Sequence, residues 1–280
     1  MLSVNTNVAA LNAYRNLSNS QDAANTSMQR LSSGYRINSA ADDAAGLAIS
    51  TGMGSEISGM TQAVRNTQDG VSVIQTASGA LNEATSILQR MRDLAVQSAN
   101  DTNSGNSRAD ISTEVTQLSA ELTRIAGSTT FNGISLLNSS GSMTFQVGAG
   151  SGAATNAITI ALSGANLTSI ASGAADSGFA ANFNTGSGAA SAIGTLDTII
   201  QSVSTAQAQL GAYQNRFQHT INNLNTAIQN TTASQSRIRD TDMAQEMTNF
   251  SKSQILVQAG TSMLAQANSS TQSILKLLQG

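Results

Sequence analysis

Between Ile57 and Ala95 the hydrophobic positions of this chain fall in sevens. Ile57, Met60, Val64, Thr67, Val71, Ile74, Leu81 and Leu88 share one alternating spacing of three and four, broken only at Ser78 and Thr85. No proline interrupts the run, so the pattern predicts one long helix with a coiled-coil seam. Such a helix spans about 58 Å at a rise of about 1.5 Å per residue, and it needs partners of similar length. Leu196, Ile200, Val203, Leu210, Phe217, Ile221, Leu224 and Ile228 supply one, with Gln207 and Gln214 on the seam. A shorter run, Ile111, Val115, Leu118, Leu122 and Ile125, repeats the spacing. The expectation is a mainly α fold, a long antiparallel coiled-coil rod built from the N- and C-terminal parts of the chain.

The remaining elements follow in order. Residues 3–33 read as a helix with a thin stripe of Val4, Val8, Leu11, Leu17, Ala24, Met28 and Leu31, closed by Gly34 as a left-handed C-cap. Tyr35 to Asn38 reads as an extended link. Ser39 with Asp42 forms a capping-box pattern, and Asp43 adds charge to the first turn of a helix that runs to about Asn100. Asp101 to Asn106 reads as a turn, Ser107 with Asp110 as the next cap, and Gly127 as the end of the short helix. Asn132-Gly133 marks another turn. Met143 to Val147 and Ala157 to Leu162 read as the strands of a small β-hairpin joined through Gly148 to Gly152. From 163 to 191 the chain is rich in Gly, Ala, Ser and Asn and reads as a loop-rich insert. The second long helix ends at Arg237 or Arg239. Asp240 and Asp242 open a last helix to Leu278 with the stripe Met243, Met247, Phe250, Leu256, Met263, Ile274 and Leu278. Neither terminal helix buries so narrow a face alone. They pair with each other or pack on other copies of the chain.

Composition sharpens this picture. Charged residues make up 10% of the 280, against about 25% in ordinary globular chains. Aromatics are 3%, Trp and Cys are absent, and Lys occurs only at 252 and 276. Disulfides and thiolate chemistry are excluded. A net charge of −3 leaves no basic footprint for nucleic acid. No apolar run approaches the roughly 20 residues of a membrane span. The N-terminal stretch has neither the charged nor the apolar region of a cleaved secretory signal. His219, the only histidine, lies within a helix and has no thiol to serve. Asp240, Asp242 and Glu246 stand at a helix start, where carboxylates cap and oppose the dipole better than they hold a metal. Gly148, Gly150 and Gly152 imitate part of a phosphate loop, but no long helix opens after them. No cofactor is expected. What remains is surface for self-packing. Small polar side chains allow close helix contact, low charge lets identical copies approach, and head-to-tail contacts between them give an open filament.

Several stretches carry a specific resemblance: 31–49 (LSSGYRINSAADDAAGLAI), 88–100 (LQRMRDLAVQSAN), Phe131-Asn-Gly133, 236–240 (SRIRD) and 254–268 (QILVQAGTSMLAQAN). These closely resemble bacterial flagellin over about residues 1–140 and 195–280. The resemblance implies an inner domain of terminal helices (1–40 with 236–280), a helical rod domain (41–142 with 192–235), and a β-hairpin with a short variable insert (143–191). It implies an extracellular filament subunit whose core is packed by Val4, Val8, Leu11, Leu17, Met28, Leu31, Met247, Phe250, Leu256, Met263, Ile274 and Leu278. It further implies export without cleavage through the flagellar type III apparatus, an export chaperone on about 240–280, cap and junction proteins as neighbours, and recognition by the vertebrate flagellin-sensing Toll-like receptor. Gln89, Arg90, Leu94 and Glu114 match that receptor's contact segment. Arg90 and Leu94 are four residues apart and so on one helix face, a planar donor fork beside an apolar anchor. Two other readings stay open. A hook–filament junction protein has similar terminal helices. An enzyme carried on a flagellin-like rod needs catalytic residues, and the insert offers only Asp176.

Overall fold

The computed structural model describes residues 7–138, 141–163, 166–170, 172–175 and 178–279, with the backbone alone beyond Ser270. The order is α1 (Val8–Ser33), α2 (Ala44–Ala99), α3 (Gly105–Ser128), β1 (Thr130–Phe131), β2 (Ile134–Ser135), β3 (Ser142–Gln146), α4 (Ala153–Asn156), β4 (Ala157–Ala161), α5 (Leu167–Ile170), α6 (Ser172–Ala175), a 3-10 helix (Phe179–Asn184), α7 (Gly186–Arg239) and α8 (Met243–Gln279). The fold is mainly α, with long helices near both ends and a small antiparallel hairpin, as the periodicity predicts. Two compact units divide it: Met1–Ser55 with Asn230–Gly280, and Glu56–Gln229.

In the unit Glu56–Gln229, α2 and α7 run antiparallel. Arg92 Nε lies 2.6 Å from Asp197 Oδ1, and ten residues earlier Asn82 Oδ1 accepts from Gln207 Nε2 at 3.0 Å. Half of the expected seam is correct. Met60, Thr67, Ile74, Leu81 and Leu88 are buried, but their companions are Ala63, Gly70, Ala77, Ala84 and Met91. Ile57, Val64, Val71, Ser78 and Thr85 are only half-buried. Helix α7 does the same. Leu196, Val203, Leu210, Phe217 and Leu224 alternate with Ala192, Ile199 and Ala206, while Ile200, Gln207, Ile221 and Ile228 are half-buried and Gln214 is exposed. Both patterns keep the spacing of three and four, so periodicity alone did not choose between them. Small side chains won the inner column because they let the two backbones approach. Gln207 also lies 3.4 Å from Thr85 Oγ1, so two polar seam positions satisfy each other across the helices.

Helix α3 closes this core with Ile111, Val115, Ser119, Leu122 and Ile125 buried and Leu118 half-buried. Its cap is Ser104, three residues ahead of the expected Ser107, because Ser104 Oγ accepts from Ser107 N at 3.2 Å, and the helix passes through Gly127 to end at Ser128. Asn132 (φ 49) and Gly133 (φ 78) form the two-residue turn between β1 and β2. Strands β3 and β4 pair antiparallel, with Thr144 opposite Thr159. In the insert, Phe179 and Phe183 are buried edge to face at 5.6 Å. Hydroxyls of Ser98, Ser112 and Ser119 donate to the carbonyls of Phe183, Ala180 and Ala174. Short helical turns anchored on α2 and α3 therefore stand within the expected loop-rich stretch.

The other unit holds the two ends. Asn7 Oδ1 caps α1 by accepting from Ala10 N at 3.0 Å, and Gly34 (φ 75) closes it. Asp42 folds back to accept from the amides of Asn38 and Ser39. The bond from the Ser39 amide is the chief cause holding its carboxyl below the usual carboxylate range. Asp43 caps α2 instead, accepting from Gly46 N at 2.9 Å. The two linkers are tied together. Arg36 N donates to Arg239 O at 2.7 Å, Thr241 N to Gly34 O at 3.0 Å, and the Arg239 guanidinium stands 4.2 Å over the Tyr35 ring.

Candidate assembly surfaces

Helices α1 and α8 pair antiparallel. Near one end Asn7 Nδ2 donates to Ala267 O at 2.9 Å, and near the other Arg30 Nη1 lies 3.9 Å from Glu246 Oε2. Between them Gly260 lies close against Leu17: a β-carbon there would meet Leu17 Cδ1 at 3.2 Å, so the leucine would have to give by a few tenths of an ångström. Among the described residues, the buried positions of α1 are Ala24 and Ser27, and on α8 they are Glu246 and Ser253.

The large side chains point the other way. Val8, Leu11, Tyr14 and Met28 on α1, and Met243, Met247, Ile255, Leu256 and Met263 on α8, are all exposed, from 47% at Leu256 to 66% at Ile255. Of the residues expected to pack other copies, Val8, Leu11, Met28, Met247, Leu256 and Met263 stand in this exposed set. Leu17, Leu31 and Phe250 are half-buried. Val4, and the side chains of Ile274 and Leu278, lie outside the described residues. Tyr14, Met243 and Ile255 extend the set. Fully burying one such side chain contributes about 1.5–3 kcal/mol. A helix pair with small residues inside and large ones outside leaves most of that gain unrealised.

On α2 and α3, Arg90 and Glu114 meet. Arg90 Nε and Nη2 lie 2.9 and 2.8 Å from Glu114 Oε1, with both side chains exposed and Gln89 exposed beside them. Leu94 departs from the expected face. At 2% exposure it belongs to the core cluster, seven residues beyond the buried Ile87. The i to i+4 relation to Arg90 holds, but the helix turns far enough between them to place one at the rim and the other inside. The folded subunit therefore does not present Leu94.

Little here is equipped for catalysis. His219 is exposed and, with Glu56 and Arg216, lines an open recess of about 680 Å³ between α2, α7 and the hairpin loop. Asp242 caps α8, accepting from Ala244 N at 2.9 Å and Gln245 N at 3.1 Å. Among the described residues no cluster of His, Asp or Glu is grouped to hold a metal ion. None of the described helices is long and apolar enough to cross a membrane.

Residues 4–142 match the family described as the bacterial flagellin N-terminal helical region, and residues 193–278 match the bacterial flagellin C-terminal helical region. Over 277 residues the chain is 47% identical to a flagellin of Halalkalibacterium halodurans, covering 99% of both. It is 44% identical to the flagellar filament 33 kDa core protein of Treponema phagedenis, again covering 99% of both. Among solved structures it is similar to the crystal structure of Bacillus cereus flagellin, with 33% identity, a TM-score of 0.48, and 57% of this chain and 88% of that one covered. With both ends matched by the family's two terminal regions and nearly its whole length by a named flagellin, this chain belongs to the bacterial flagellin family.

Proposed function

We propose that this chain is the structural subunit of a flagellar filament, exported unfolded and uncleaved through the flagellar type III channel and added at the distal tip. The observation that carries the proposal is the inverted helix pair: α1 and α8 bury Ala24, Ser27 and Ser253 and expose Leu11, Met28, Met247, Ile255 and Met263. In a filament the outward side chains are covered by other copies, and the subunit gains in assembly what it lacks alone. The relatives' names, flagellin and flagellar filament core protein, support the same reading. Residues 1–40 with 236–280 form the inner terminal-helix domain, 41–142 with 192–235 the helical rod domain, and 143–191 the β-hairpin and short variable insert.

Before assembly the C-terminal surface, about 240–280, suits an export chaperone that keeps its apolar side chains from water. Cap and junction proteins meet the same helices at the filament ends. Outside the cell, the exposed Gln89, Arg90 and Glu114 form the polar contact surface for the vertebrate receptor. No catalytic role and no cofactor belong to this function. The test is deletion of Met1–Ser33 or of Asp240–Gly280, followed by electron microscopy after seeding. Both truncated chains are expected to remain helical monomers. Long filaments from either one would overturn the proposal.

A further inference from the structure

We propose that Arg30 and Glu246 fix the register in which α1 lies along α8, and that a subunit without this pair presents no usable assembly surface. Only the second clause rests on the filament reading. Most inner positions of the helix interface lack a large interlocking side chain. Its inner positions are Ala24, Ser27, Ser253 and Gly260, small side chains whose surface looks much the same after a slip of one turn, about 5.4 Å. Shape holds the register at one point, Leu17 against Gly260, and leaves the rest of the seam permissive.

Charge supplies the choice. Among the described residues, Arg30–Glu246 is the one ion pair between α1 and α8. The Glu246 side chain is only 8% exposed, so its carboxylate is nearly out of water, and Arg30 Nη1 is 3.9 Å from it. Arg30 Nε is buried and makes no hydrogen bond, and Asp42, in the link before α2, is a further carboxylate within electrostatic reach of Arg30. The adjoining groove adds one further cation, Lys252, among neutral Asn, Ser and Thr side chains. A one-turn slip keeps the carboxylate buried and carries the guanidinium away. Leaving a buried charge unpaired is the costly case. A single buried polar contact setting register in an otherwise permissive helix seam is the best-attested use of such groups. The helix dipoles agree with the arrangement: Arg30 lies in the last turn of α1 and Glu246 in the first turn of α8, each at the end that favours its charge.

The absence of cysteine makes the register directly readable. A β-carbon at Gly260 would stand 3.4 Å from that of Leu17, close to the roughly 3.5–4.5 Å of a disulfide. The full chain carrying Leu17→Cys with Gly260→Cys reports the native register. Leu17→Cys with Leu256→Cys, and with Leu264→Cys, report slips of one turn either way. Oxidation captures even a transient pairing, so the rate of cross-linking is the measurement. Arg30→Glu or Glu246→Arg alone is expected to slow the native cross-link by about tenfold or more and to speed a slipped one. The two reversals together are expected to recover most of the native rate, short of all of it because the reversed charges oppose both helix dipoles. A native rate indifferent to the single reversals, or a double reversal no better than the worse single one, would overturn the proposal. Seeded polymerisation of the same charge variants, without the cysteines, tests the second clause. Filaments are expected to vanish with either reversal and to return with both. If the cross-links follow the pair while even the unaltered chain forms no filament, the register assignment stands and the filament reading fails.

Discussion

The ring of Phe217 occupies the space that a side chain at position 70 would need: a β-carbon on Gly70 would stand 2.6 Å from Phe217 Cε2 and 3.3 Å from Phe145 Cδ1. The two rings meet edge to face at 5.6 Å over that glycine. One missing side chain therefore brings α2, α7 and the hairpin strand β3 together, and both rings gain packing from it.

Gly70→Ala sets two effects against each other. Alanine favours the helix by about 0.5–1 kcal/mol over glycine, while overpacking a tight core costs about 1–3 kcal/mol. The contact is closer than real β-carbons tolerate, so net destabilisation of about 1–2 kcal/mol is expected in urea unfolding. Gly79→Ala is the control. It lies in the same helix with nothing within 4 Å, and it is expected to stabilise by about 0.5–1 kcal/mol. Equal gains at both positions would show that Phe217 moves aside freely.

Helices α1 and α8 hold 26 and 37 residues. Ordering each residue costs about 1–2 kcal/mol of backbone entropy, and the few small residues they bury return little. In dilute monomer both ends are expected to open first, so that mild protease trims them and spares about residues 45–235. In the assembled polymer the same ends resist. Equal protection of the ends in monomer and polymer would contradict this.

Receptor activation separates the rim from the core. Arg90–Glu114 is an exposed pair worth about 0–1 kcal/mol, so Arg90→Ala is expected to weaken activation of the flagellin-sensing Toll-like receptor by monomers while leaving helicity unchanged. Intact filaments are expected to activate it poorly. Leu94→Ala removes a core side chain and costs about 2–5 kcal/mol, so any loss there travels with lower stability. Full activation by Arg90→Ala and Gln89→Ala together would remove this surface from the receptor site.

The long helices, the hairpin and the caps Gly34 and Asp242 were legible in the sequence because period and turn chemistry are local, whereas α2 and α3 are capped by Asp43 and Ser104 in place of the residues the capping-box pattern picked. The inner seam was not. Ala63, Gly70, Ala77 and Ala84 read as filler beside Val64 and Val71, yet their smallness is what admits α7. The same oversight put Leu94 on the surface. Once the seam passes through Met91 and Ala95 in place of Thr85, the neighbouring column of Ile87 and Leu94 turns inward. In the insert, Phe179 and Phe183 were two apolar residues in a small-residue stretch with no period, and only hydroxyls distant in sequence, Ser98 and Ser112, reveal what they pack on. The assembly surface was readable as residue types. That the large members face outward follows from how closely α1 and α8 approach at Gly260, which no single-helix pattern encodes.

The central claim is that the outward apolar side chains of α1 and α8 are the contact surface between subunits. Its most direct test is the critical concentration for seeded polymerisation of a chain carrying Leu11→Gln, Met28→Gln, Met247→Gln and Leu256→Gln. All four side chains are exposed in the isolated fold, so monomer helicity and unfolding midpoint are expected to hold, each exposed substitution shifting stability by no more than about 0.5 kcal/mol. The critical concentration is expected to rise by about tenfold or more, or filaments to be lost altogether. Filaments growing at the unaltered critical concentration would contradict it.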